Sequence, residues 1–129
     1  MATAYNDVPY GAQVTAEFIA GVGGVTKHTF VSCAENVATT ATSGHALIAL
    51  NTASAGDPVT VVVAGMALLS VNANSTNITA GTSKLKPTTG GLGIVAGTTK
   101  DDYSAVAIGG SSTDADVIRV YLAHGTENI

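Results

Sequence analysis

Four side chains in this 129-residue sequence have the chemistry to hold a soft metal: His28, His45, His124 and the single cysteine, Cys33. Zinc asks for four nitrogen or sulfur ligands in a tetrahedron, usually supplied by paired spacings such as C-x-x-C or H-x-x-x-H. None of the four residues falls in such a pair, so they read as separate surface or core residues and no metal site is expected. Cys33 cannot form an internal disulfide, which suits a reducing compartment, and reads as a buried, inert thiol.

Nucleotide chemistry is raised by Gly91-Leu92-Gly93-Ile94-Val95-Ala96, which matches G-x-G-x-x-A. That fingerprint works only between a strand and a helix whose N-terminus faces the pyrophosphate. Here Pro87, Thr88 and Thr89 precede it and Gly97, Thr98 and Thr99 follow, so no helix is expected and nucleotide binding is set aside. Asp114 and Asp116 lack the companion oxygens of a calcium loop and read as turn residues before a strand. No G-x-S-x-G elbow is present, and adjacent acids such as Asp101 and Asp102 on a turn point apart, which defeats paired acid/base work. Asn74-Ser75-Thr76 and Asn77-Ile78-Thr79 are formal glycosylation sequons that read as turns. The sequence is expected to be non-catalytic, with no cofactor.

Composition narrows the partners. Five basic and nine acidic residues give a net charge of −4, and charged residues are only 11% of the chain, against about 25% in ordinary soluble domains. Phosphate neutralisation needs clustered Lys and Arg, and base stacking needs aromatics, yet aromatics are 5% and Trp is absent; nucleic acid is excluded as a partner. No apolar run reaches the ~18 residues of a membrane span. The longest, Val59 to Val71, is broken by Thr60, Gly65 and Ser70. Met1 to Ala20 has no Lys or Arg, unlike a secretory signal, so the chain is expected to be soluble and unprocessed.

The elements that would position any site are short and β-rich. Lys27 to Ser32, His45 to Leu50, Val59 to Val63, Met66 to Val71, Ile78 to Lys86, Gly90 to Val95, Ser104 to Ile108 and Asp116 to Leu122 read as strands between Gly, Pro, Asn and Asp turns. Val59 to Val71 is two strands, or one strand bent at Gly65. The last segment is the clearest, with Ile118, Val120 and Leu122 on one face and Val117, Arg119 and Tyr121 on the other. The Ala-rich first half of Ala34 to Leu50 competes as a turn of helix, weakened by Thr39, Thr40 and Thr42. An all-β domain over 25–129 is expected, a small β-sandwich or β-barrel. Residues 1–24 are expected to form an extended N-terminal arm. They hold Tyr5, Pro9, Tyr10 and Phe18, large side chains that would serve best by docking on something.

The order of three segments resembles the small capsid decoration, or cement, proteins of tailed bacteriophages. Gly56-Asp57-Pro58-Val59-Thr60-Val61-Val62-Val63-Ala64-Gly65 is similar to that family's G-D-P/E-V-x-V-x-x-x-G strand pair. Ile78-Thr79-Ala80-Gly81-Thr82 matches its T-A-G-T, and Ala105 to Gly109 with Asp116 to Leu122 matches its closing A-D-G-D-x-I-x-V-x-L region. Ala115 stands where the family has Gly between the two acids, and residues before about Gly44 show no alignable pattern. The resemblance implies a structural virion protein on the outer surface of an icosahedral head, made in the bacterial cytoplasm. Its implied partners are the major capsid protein and further copies of itself, as a homotrimer or a dimer, with no cofactor, nucleic acid or membrane. By the same analogy Tyr5, Pro9, Tyr10 and Phe18 would contact the shell, adding a strand to a sheet edge. Binding the expanded shell and not its compact precursor would stabilise the expanded state. The alternative is a carbohydrate- or receptor-binding β-sandwich module of the head-fibre type, for which Tyr103 is the one aromatic in a plausible loop.

Overall fold

β-branched runs separated by glycine, asparagine and aspartate turns become strands because they fit a pleated, half-buried surface and cannot be held in helix. The computed structural model describes residues 13–74, 76–97, 101–112 and 114–126. Among them are nine strands: β1 (Gln13–Ala20), β2 (Phe30–Ala34), β3 (Val37–Thr40), β4 (Leu47–Ala49), β5 (Pro58–Asn72), β6 (Lys84–Pro87), β7 (Gly93–Val95), β8 (Asp102–Ala107) and β9 (Asp114–Thr126). The expected all-β class is what the structure has. The Ala-rich window after Ala34 holds strands β3 and β4, as its threonines demand.

The sheet order is β1-β3-β2-β4-β5-β7-β6-β8-β9, and two further pairings, β1–β5 and β5–β9, close each half on itself. The result is two five-stranded circuits that share β5, an architecture nearer to the barrel than to the sandwich, since closure removes most free edges. β5 is a single strand of 15 residues across both circuits. Its halfway point carries a bulge: Val14 pairs with Ala64 but Thr15 pairs with Val62, leaving Val63 unopposed, and Gly65 follows at φ 101°.

One extra residue reverses which face each side chain takes. Val62 therefore joins Ala67, Leu69 and Val71 in one core, with Phe30, Ile48, Leu85, Ile118 and Val120. Val59 and Val61 point the other way, into a second core with Val25, Val31, Ala38 and Ala49. β2, β4 and the first half of β5 thus form a wall buried on both faces: Phe30 backs onto Val31, Ile48 onto Ala49, Val62 onto Val61. This explains the unbroken Val61-Val62-Val63 run, which alternation alone would not.

The expected strands shift where the backbone turns. His28 adopts φ 65°, so the strand read from Lys27 starts only at Phe30. Ile78 makes an isolated bridge to Ser111, and the strand read from Ile78 begins at Lys84 after the turn at Gly81. The glycine fingerprint is a 3-10 turn over Thr89–Gly91 leading into β7, with no helix to receive a phosphate. A Cβ at Gly91 would lie 2.9 Å from the Phe30 carbonyl oxygen, so that glycine serves close packing. Of the segment 1–24 expected as an arm, residues 13–20 are β1, paired along β5 from Gln13 opposite Gly65 to Ile19 opposite Pro58. Those eight residues are built into the domain.

Candidate docking surface

Tyr5, Pro9 and Tyr10 lie outside the described residues. Phe18 is on β1, half-buried, and packs against the core that contains Val31 and Val59. This half-buried side chain anchors β1 to its own domain, because in a strand paired with β5 one face must turn inward. Tyr103 is a strand residue of β8, not a loop tip, with the Lys84 ammonium 5.1 Å from its ring centre.

The metal-capable residues are partly brought together. His45 and His124 meet edge to face, ring centres 5.5 Å apart. His45 Nε2 lies 3.1 Å from the Gly125 carbonyl and His124 Nε2 lies 2.7 Å from the Ala46 carbonyl. A carbonyl only accepts, so each Nε2 bears the proton and donates. The two rings form a reciprocal clasp between the entry to β4 and the end of β9, and those nitrogens are engaged. Ala46 N donates to the buried Ser104 Oγ at 2.7 Å, a third link at this seam. Cys33 lines the same open cleft as the two histidines, and burial pushes its thiol up, away from the reactive thiolate. His28 stands elsewhere. Its Nδ1 is buried with no hydrogen-bond partner among the described residues, and burial, with Lys27 beside it, pushes its imidazole below the usual range. Among the described residues no three His, Cys, Asp or Glu side chains are grouped to hold a metal.

Asp101 is paired with Lys86 at 2.9 Å, and Asp102 accepts from Thr126 Oγ1 at 2.9 Å. The two neighbouring acids thus serve different partners, as adjacent residues on a turn and strand start should. Asn74 N donates to Asn72 Oδ1, a local link at the start of the first sequon.

The surface that remains is the outer face of the second circuit. Registered residues on neighbouring strands share a face, and Lys84, Val106, Tyr121 and Met66 are successive partners across β6, β8, β9 and β5, with Val106 itself buried. The next rows place Arg119 beside Leu68 and Val117 beside Ser70, and Val14 beside Ala64 lies past Met66 on the β1 side. Val14 is 58% exposed, Val117 43% and Tyr121 41%. These rows contain two cations, and the next row on the ladder places one acid, Asp114, opposite Asn72, in a chain with nine acids and five bases. Part of this face was legible: the alternation in β9 separates Val117, Arg119 and Tyr121 from the inward Ile118 and Val120. Its extension over Met66 and Val14 was not, because the bulge at Val63 sets which β5 residues face outward.

No established protein family matches the sequence, and no curated protein matches it either. Among solved structures, the chain is similar to the N base of the head fibre protein gp8.5 of bacteriophage phi29. The TM-score is 0.60 at 14% identity, and the match covers 92% of this chain and 100% of that one. The likeness is one of fold, carried by nearly the whole chain. No helix among the described residues is long and apolar enough to cross a membrane.

Proposed function

We propose that this chain is a structural protein of a phage virion that sits on the outer surface of the head and stabilises the expanded capsid. The observation that carries the reading is the fold shared along 92% of the chain with the base of a phage head fibre. The segment resemblance to capsid decoration proteins points to the same part of a virion. The proposed partners are the major capsid protein and further copies of this chain.

Stabilisation follows from differential affinity: a protein that binds the expanded shell and not the compact one shifts the balance by the difference, multiplied over many copies. A receptor-binding module is the second reading, favoured by the neighbour being part of a fibre. Among the described residues no aromatic platform stands at a loop tip, since Tyr103 lies in a strand against Lys84, and Trp is absent from the sequence. The test is co-sedimentation of the purified chain with expanded heads assembled without it. Saturable pelleting with heads is the expected result; a chain that ignores heads but binds glycans saturably would overturn it.

A further inference from the structure

We infer that the outer face of β5 and β9, centred on Tyr121, is the side that lies against the shell, and that its partner is an apolar protein surface bordered by carboxylates. The inference rests on the head-binding reading above and adds the face and the chemistry of the contact.

Three observations carry it. First, Tyr121, Met66, Val117 and Val14 lie on one outward strip by register, with Leu68 and Arg119 in the row between Tyr121 and Val117, and three of the four are more than two-fifths exposed. Scattered exposed valines need no explanation, whereas aromatic and aliphatic side chains in adjoining rows are the composition of an interface centre.

Second, the charge is sorted. Lys84 stands at the end of the Tyr121 row and Arg119 between Tyr121 and Val117, while one acid, Asp114 opposite Asn72, lies past Val117, although acids outnumber bases in the whole chain. Both cations also make contacts within the chain. A net-negative protein with a cationic apolar face meets an acidic apolar partner and repels its own acidic sides.

Third, the chain outside the described residues joins this face. Residue 12 leads into Gln13, whose Nε2 donates to the Met66 carbonyl at 2.7 Å, and Val14 is part of the strip. Twelve residues span up to about 40 Å when extended, so the segment that carries Tyr5, Pro9 and Tyr10 is attached next to Met66 and reaches no farther than that from it. The other exposed apolar group, Val22 with Ile19 and Val37, sits at the far end of β1 beside the turns that hold Glu35 and Asp57; its surroundings carry the opposite sign.

The test uses the full chain and expanded heads assembled without it. Tyr121→Glu and, separately, Val117→Glu are expected to lower head occupancy at least about tenfold, as central interface residues do, while Tyr121→Phe and Val22→Glu leave it unchanged. Circular dichroism confirms that each variant folds, and Val14→Glu stands in if either of the first two does not. Occupancy of the wild type is expected to fall with added salt. Wild type that binds heads, with both glutamate variants binding equally well, overturns this inference and leaves the head-binding reading standing. Wild type that fails to bind heads overturns both. Glutamate variants that break up an oligomer of the chain while heads stay fully decorated assign the face to contacts between copies and overturn the inference.

Discussion

Val61 and Val62 are neighbours in sequence, both 0% exposed, and they belong to different cores. Val61→Ala and Val62→Ala therefore probe whether two circuits sharing one wall unfold as one unit. Each change deletes two buried methyl groups, about 1.6 kcal/mol of transfer free energy. The cavity left in a wall packed on both sides adds about 1 kcal/mol more. With an unfolding entropy of about 2.1 cal/mol/K per residue, each variant should melt about 9 °C lower than the parent at the same protein concentration. Cys33 on β2 reports the first circuit through thiol labelling, and far-UV dichroism reports all strands. Because β2, β4 and β5 serve both cores, the two probes should give one coincident denaturant transition in the parent and in both variants. Separate midpoints, or a Val61→Ala variant that exposes Cys33 while most strand signal survives, would refute the shared-wall argument.

Three further outcomes follow from single contacts. Gly91→Ala forces a Cβ to 2.9 Å from the Phe30 carbonyl oxygen at φ 76°, and should cost about 2–4 kcal/mol by combining left-handed strain with a backbone clash; denaturant titration reads it. Ser104→Ala strands the buried Ala46 N–H, which should cost about 1–3 kcal/mol and speed hydrogen exchange at that amide. His28 titrates below its ordinary value, so the unfolded chain takes up its proton more readily. Its contribution is present in full above pH ~6.5 and is lost as pH falls through the folded value; His28→Asn, which tolerates φ 65°, should flatten the melting-temperature profile between about pH 7.5 and 5, and an unchanged slope would contradict the burial argument.

The strands were legible where one side of a strand faces water. In β9 the alternation of Ile118 and Val120 against Val117 and Tyr121 appears in the burial as read. In β8 it fails, because Ser104 through Ala107 are all buried; a segment covered on both sides has no reason to alternate. The strand ends are illegible where a residue other than glycine adopts positive φ, as at His28, because that conformation is uncommon outside glycine. The histidines were read as unrelated because 79 positions separate His45 from His124, and only the pairing of β8 with β9 and the seam at Ala46 brings their rings together.

Composition and local pattern by themselves determined the class of this protein: β-branched, glycine-punctuated, low in charge, without spacings for metal, nucleotide or nucleophile chemistry. Those properties are set by residue type and short-range periodicity, which act within a few positions. What only the tertiary structure decided is which surface the molecule presents. Phe18 turned inward with β1, and Val14, Met66, Tyr121 and Val117 turned outward together. That outcome depends on one unopposed residue at Val63 and on strand pairings up to more than fifty positions apart. A single-residue bulge reverses the faces of everything beyond it, and its position is fixed by long-range register rather than by any neighbouring side chain.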